Sequence, residues 1–345
     1  MSPISMAHPA DPIPNTPTEV DLTALSTPSS RLRASSPMQQ MQFGPRWQVS
    51  ARSLLGTHLE EVDENQDNYL VIDTQGRALH LRDQREHLVS GVERWPAGHV
   101  RLAILDGMGG HGNGREVAEA TVQGLLELPA CGDLETLGER LDALHDRLQQ
   151  RFKTEALRTG QRRPGTTLTL LELPAVGPGL LYHVGDSRLY QITTDQAHPL
   201  TVDHVPATAH LLQGFLDEQG WRQLVFEQDR AEISQAFVLG STLFTDHALD
   251  DHLTPLEPSH LPPCLAGLAD RRLLAIERGA LLVLATDGMW ACAQPHLWLQ
   301  RWPALLAQPA RRLDYVVDDL FAELITAPPD DLKTDNCTVI ALRAQ

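Results

Sequence analysis

From Trp47 onward, apolar residues fall into short runs bounded by Gly, Pro, Asp and Asn, the pattern of buried strands separated by turns. Strands are expected at Trp47–Leu54, Asn68–Asp73, Ala78–Leu81, Arg101–Leu105, Thr167–Leu173, Leu180–Val184, Leu189–Thr193, Ala280–Thr286 and Thr338–Leu342. Two helices interrupt them. One starts near Asn113, an expected N-cap, and puts Val117, Ala118, Thr121, Val122 and Leu125 on one side. The other carries Leu134, Leu137, Leu141, Leu144, Leu148 and Phe152 at alternating spacings of three and four, an amphipathic stripe made to pack on a sheet. Later helices are expected at His296–Leu306 and Ala310–Ile325. Strands outnumber helices, and Leu180–Val184 and Leu189–Thr193 read as a hairpin joined through Gly185-Asp-Ser-Arg188. Antiparallel sheets with helices packed outside are therefore expected, an α+β fold and not a βαβ alternation.

Three apolar runs meet a carboxylate at one end: Arg101–Leu105 before Asp106, Leu281–Thr286 before Asp287, and, in reverse, the run that follows Asp335. Strands that each place an Asp at one end can gather those groups at one rim of a sheet. The cluster would repel itself unless cations sat between, and all-oxygen sites suit Mg²⁺ or Mn²⁺. A metal-dependent enzyme is the first reading.

Composition narrows it. The 345 residues carry a net charge of -17, which argues against nucleic acid or an anionic membrane as partner. An acidic protein that handles phosphate needs a metal or a local Arg to offset its own field. Cys131, Cys264, Cys292 and Cys337 have neither disulfide nor zinc spacing. No apolar run approaches a membrane span, and the N-terminus lacks the order of a signal peptide, so a cytoplasmic protein is expected, with monomer as the default. Residues 1–45 are rich in Pro, Ser and Thr and read as a disordered tail ahead of a single domain over 46–345. Residues 205–275, irregular and rich in His and Pro, read as a variable lobe or flap.

Gly107, Gly109 and Gly112 form a literal G-x-G-x-x-G between a strand and a helix. Asp106 would oppose a pyrophosphate there, and Glu127 ends a helix instead of a second strand, so a nicotinamide cofactor is disfavoured. The glycines more simply let backbone approach a metal and free the Gly107 carbonyl to ligate it.

Read in order, Asn65-Gln-Asp67, Asp106-Gly-Met-Gly-Gly-His111, Gly165-Thr-Thr167, Val184-Gly-Asp-Ser-Arg188, Thr201-Val-Asp-His204, Ala285-Thr-Asp-Gly-Met289 and Asp335-Asn-Cys-Thr-Val-Ile340 resemble the motif series of the PPM/PP2C metal-dependent Ser/Thr protein phosphatases, in their bacterial form. The series spans about residues 47–345. The resemblance implies an α-β-β-α sandwich of two mostly antiparallel sheets, with two metals, Mn²⁺ or Mg²⁺, at the sheet edge. It implies hydrolysis of phosphoserine and phosphothreonine by a water that bridges the metals. Asp106 would bridge both metals, Asp287 and Asp335 would complete the first site, and the Gly107 carbonyl and Gln66 would serve the second. Asp67 would hold metal-bound water, and Asp186 with Asp287 would form a third, weaker site. Asp67, Asp106 and Asp287 are the expected catalytic set. The expected partners are phosphorylated proteins, a Ser/Thr kinase or its targets.

Two departures stand out. Gln66 occupies a position where many relatives carry a second-metal Glu, and Val62 one where the family often has a phosphate-holding Arg. Nearby Arg52, or a residue of the 205–275 lobe, is the expected substitute cation. The alternative reading these departures favour is a weak or inactive phosphoprotein-binding module on the same fold. His111 is a candidate general acid or a structural residue, His183 and His204 read as structural, and Trp290, Trp298 and Trp302 as core or lid.

Overall fold

Alternate residues of the central strands face different neighbours, and this alternation sets the layers. The computed structural model describes residues 37–56, 64–109, 113–229, 232–245 and 248–345, which belong to one unit, Pro37–Gln345. Its strands are β1 (Trp47–Leu54), β2 (Asp67–Ile72), β3 (Ala78–Arg82), β4 (Arg85–Val89), β5 (Val100–Met108), β6 (Gly165–Thr166), β7 (Leu168–Leu173), β8 (Gly179–Val184), β9 (Arg188–Ile192), β10 (Ala197–Pro199), β11 (Gln235–Ala236), β12 (Gly240–Ser241), β13 (Arg271–Leu274), β14 (Leu281–Ala285) and β15 (Cys337–Ala344). Its helices are α1 (Asn113–Glu127), α2 (Leu134–Thr159), α3 (Pro206–Leu212), α4 (Glu218–Phe226), α5 (Pro295–Leu299), α6 (Trp302–Leu306) and α7 (Leu313–Thr326).

One sheet runs β1-β15-β14-β9-β10. The other runs β13-β8-β7-β5-β2-β3-β4, with β6 paired to β5. Every pairing in both is antiparallel. Tyr69, Val71, Leu102 and Ile104 of one sheet pack against Leu282, Leu284, Ile340 and Leu342 of the other. The intervening residues Leu70, Ile72, Ala103 and Leu105 turn to the opposite face, under Val117 and Val122 of α1 and Leu141 and Leu144 of α2. Val283, Val339 and Ala341 lie under Trp302, Val316 and Phe321 of α6 and α7. The result is the expected α-β-β-α sandwich. The α2 stripe from Leu137 to Phe152 is buried in the core with Leu134 partly buried at its edge, and the helix is closed by Asp133, which accepts from the Thr136 N–H at 2.8 Å, and by Gly160 in the left-handed region.

Several expectations are corrected. The predicted hairpin over Leu180–Thr193 is not one: β8 belongs to the seven-strand path and β9 to the five-strand sheet. All of β8 and most of β9 are buried, so each needs partners on both edges, and the chain steps from sheet to sheet through Gly185 (φ 111°), where a Cβ would collide with Thr167. The helix expected over His296–Leu306 is two short ones, broken ahead of Trp302-Pro303. Asn113 is the first residue of α1, and its side-chain amide donates to Gln161 at 3.4 Å. Residues 205–275 hold α3, α4 and a core of their own around Trp221, Leu243 and Leu256. Met41, ahead of the boundary read at 45, is buried between the sheets. Among the described residues no helix is long and apolar enough to cross a membrane.

Candidate active site

Antiparallel register brings the acidic ends of four strands to one rim. Asp67 and Asp106 are direct Cα partners across β2 and β5. In the facing sheet, Ala285 pairs with Val339, so Asp287, just past β14, and Asp335, just before β15, leave the same end. Asp186 lies on the crossing between β8 and β9, and joins them because that segment changes sheets.

Neighbouring residues fix the Asp67 carboxylate and the backbone around Asp106 and Gln66. Asp67 Oδ2 accepts from the hydroxyls of Thr286 (2.8 Å) and Thr338 (2.7 Å), two threonines of the opposite sheet. Its own N–H donates to Asn65 Oδ1 at 3.1 Å, and Asn65 Nδ2 donates to Ser53 Oγ at 2.9 Å. The Asp106 N–H donates to Thr167 Oγ1, and the Asp106 carbonyl accepts from the Thr167 N–H, both at 2.8 Å. Asn336 ties the rim together: its Oδ1 accepts from the Gln66 N–H at 2.7 Å, while its amide donates to the carbonyls of Leu55 and Glu64. Gln66 itself is seated by glycine. A Cβ on Gly114 would collide with Gln66 Oε1 and with the Gly107 carbonyl oxygen, so these two oxygens share one ledge over the start of α1.

The electrostatics are those of crowded anions. Loss of water around Asp106 raises its pKa well above the usual carboxylate range, and Asp287, Asp67 and Asp335 push it further. Asp67 is raised chiefly by burial, against the pull of its two threonines. Asp186 is raised by the same loss of hydration, then by Asp287 and Asp203. Asp335 is pushed up to about 7, by burial first and by Asp287 next.

Among the described residues, no three Asp, Glu, His or Cys side chains close on a metal as they stand. The donor set nevertheless fits divalent cations. It is all oxygen and strongly anionic, and Asp287 Oδ1 is buried without a hydrogen-bond partner among the described residues. A cavity of about 150 Å³ opens beside it, reaching from Asp186 and Asp287 past Trp290 to Pro206, Leu224 and Asp229 of the lobe.

The remaining motif residues are structural. Arg188 is buried against Asp203 (2.9 and 2.7 Å), the Tyr190 hydroxyl (2.8 Å) and the Val225 carbonyl (2.8 Å), between the rings of Phe226 and Trp290. It thus pins the crossing that carries Asp186 to α4. Asp203→Ala would leave that guanidinium uncompensated and is expected to cost about 3–5 kcal/mol, read as a lower denaturant midpoint. His204 Nδ1 accepts from the Gly185 N–H at 3.1 Å, so its Nε2 proton goes to Asp270 (3.0 Å). His183 lies between Thr169 and the Val202 carbonyl, with its pKa lowered by burial. Trp298 and Trp302 are core, with Trp302 edge-on to Tyr190. Arg52 pairs with Asp318 (2.6 Å) and lies over the Phe321 ring of α7. Val62 and His111 lie outside the described residues.

The sequence reading passed over Thr286, Thr338 and Asn336. Their signal was their place beside Asp287 and Asp335, although only the pairing of the two sheets reveals that they serve Asp67 and Gln66.

No family model matches the chain. A curated relative, protein phosphatase PhpP of Streptococcus pneumoniae, is 28% identical over 142 residues, covering 39% of this chain and 54% of that protein. The chain thus matches about half the length of its curated relatives. Among solved structures, a Streptococcus agalactiae serine/threonine phosphatase covers 87% of this chain with a TM-score of 0.58 at 18% identity, and all of its own chain is matched. The Mycobacterium tuberculosis serine/threonine phosphatase PstP/Ppp matches over 86% of this chain and 98% of its own, with a TM-score of 0.55 and 19% identity. These likenesses bear out the resemblance read from the motifs, and the fold is that of the bacterial PPM-type phosphatases.

Proposed function

We propose that this chain is a metal-dependent protein serine/threonine phosphatase. The single observation that carries the reading is the rim itself: Asp67 and Asp106 in register, with Asp287 and Asp335 facing them from the other sheet and Asp287 Oδ1 without a donor among the described residues. Asp106, Asp287 and Asp335 would hold one Mn²⁺ or Mg²⁺, and Asp106, the Gly107 carbonyl and Gln66 a second. Asp67 would orient water beside them, and Asp186 with Asp287 would serve a third, weaker site. Bound cations supply an acidified water and offset charge at phosphorus, so no protein nucleophile is needed.

The chain's own residues do the rest. Thr286 and Thr338 occupy one oxygen of Asp67 and fix its carboxylate plane, leaving the other to hold a water proton. Asn336 fixes the backbone that presents Gln66. Burial of the rim lowers the local dielectric and strengthens every one of these interactions. The substrate class, a phosphoserine or phosphothreonine protein, follows from the likeness to serine/threonine phosphatases. A cytoplasmic, monomeric enzyme opposing a Ser/Thr kinase is consistent with it. A catalytically silent phosphoprotein-binding module remains the second reading, favoured by Gln66, whose neutral amide holds a metal less tightly than a Glu.

The test is release of phosphate from phosphoserine, phosphothreonine and phosphotyrosine peptides with Mn²⁺. Turnover of the first two well above the third is expected. Phosphopeptide binding without release would favour the silent module, and equal turnover of all three would remove the serine/threonine assignment.

A further inference from the structure

The acidic rim raises a question the motifs do not answer. A substrate phosphate is a dianion, and beyond the cations proposed for the rim it needs a side-chain donor for its remaining oxygens, while position 62 carries Val and not Arg. Among the described residues, most cations near the rim are committed elsewhere. Arg188 is enclosed by Asp203, Tyr190 and Val225, and Arg52 lies on the helical face. Arg115, beside Gly114, is divided among Glu64, Asp83 and Glu119.

Lys333 differs. It stands two residues before Asp335, and its backbone N–H donates to the Ala291 carbonyl at 2.7 Å, which ties it to the turn that follows Asp287. Its ammonium rests on Asp229, a residue of the lobe that lines the same cavity as Asp186 and Asp287. The Lys333 side chain is 57% exposed and the Asp229 side chain 17%. The cation therefore lies on Asp229, a lining residue of the cavity, on a flexible and largely exposed stem, while the Asp229 Oδ2 that it meets is itself buried.

We infer that Lys333 is the cation that receives the substrate phosphate, exchanging its contact with Asp229 for the phosphate oxygens. This deepens the phosphatase reading and rests on it. Leaving Asp229 strands a buried carboxylate oxygen, so the exchange occurs only when the phosphate dianion takes the cation over. A charge-assisted bond to a dianion is stronger than a neutral one. Because phosphate is held in the ground state and the transition state alike, the contact acts on KM more than on kcat.

The experiment compares full-length wild type, Lys333→Ala and Lys333→Arg, loaded with Mn²⁺. It reads KM and kcat on an aryl phosphate, binding of inorganic phosphate by calorimetry, and thermal stability. Lys333→Ala is expected to raise KM and weaken phosphate binding about tenfold, the scale of one charge-assisted bond, with kcat changed little and the protein still folded at the assay temperature. Lys333→Arg restores most of both. Unaltered KM and phosphate affinity in Lys333→Ala would overturn the inference, as would a loss of stability that accounts for the change. Phosphate calorimetry decides the role of Lys333 even if wild type shows no turnover, so the inference and the phosphatase reading can fail separately.

Discussion

Asp287→Asn is expected to abolish metal-dependent turnover while leaving the fold in place. Asp287 carries the buried Oδ1 that has no partner among the described residues, and it raises the pKa of Asp106, Asp186 and Asp335 by its charge. An amide of the same shape removes that charge and little packing. It also relieves repulsion in the metal-free protein, so thermal stability in EDTA is expected to be equal or higher. The activity loss should reach at least about 10²–10³-fold, the scale on which one preorganised charge-stabilising group acts. Wild-type rates in this variant, measured with saturating Mn²⁺, would remove the metal site from this rim.

Gly114→Ala carries the second large effect, with a sign that intrinsic propensity gets wrong. Alanine is better than glycine in a helix interior by about 1 kcal/mol, and at this second position of α1 propensity alone predicts at least no loss. In the folded protein the added methyl would meet Gln66 Oε1 and the Gly107 carbonyl, two of the oxygens proposed for the second metal. Both must move, and displacement of about 1 Å at a reacting centre can cost on the order of 10²-fold. The expected result is a folded protein with Mn²⁺ affinity and kcat both reduced. Full activity with wild-type metal affinity would show that Gln66 and Gly107 do not serve a metal.

Much of this was legible in the residues. Runs such as Arg101–Leu105 and Leu281–Thr286, each ending in Asp, mark strands buried on both faces, and acidic strand ends at one rim follow from antiparallel pairing. The α2 stripe was equally plain, because a long helix shows its period many times over. What was not legible depends on contacts distant in sequence. Gly185-Asp-Ser-Arg188 reads locally as a hairpin turn. Only the demand of β8 and β9 for partners in different sheets turns it into a crossing, and that crossing is what delivers Asp186 to the rim. α3 and α4 are short, and their apolar residues serve a small core around Trp221, so their periods barely show. Thr286 and Thr338 look like ordinary strand threonines until the sheets face each other across Asp67.

The most direct test of the account is hydrolysis of a generic aryl phosphate by the purified full-length chain with Mn²⁺, with Mg²⁺ and with EDTA, beside Asp287→Asn as the control for contaminating phosphatase. The account predicts turnover with either cation, none in EDTA, and none in the variant. Turnover that survives EDTA and the substitution, or silence from folded, Mn²⁺-loaded wild type, would contradict it.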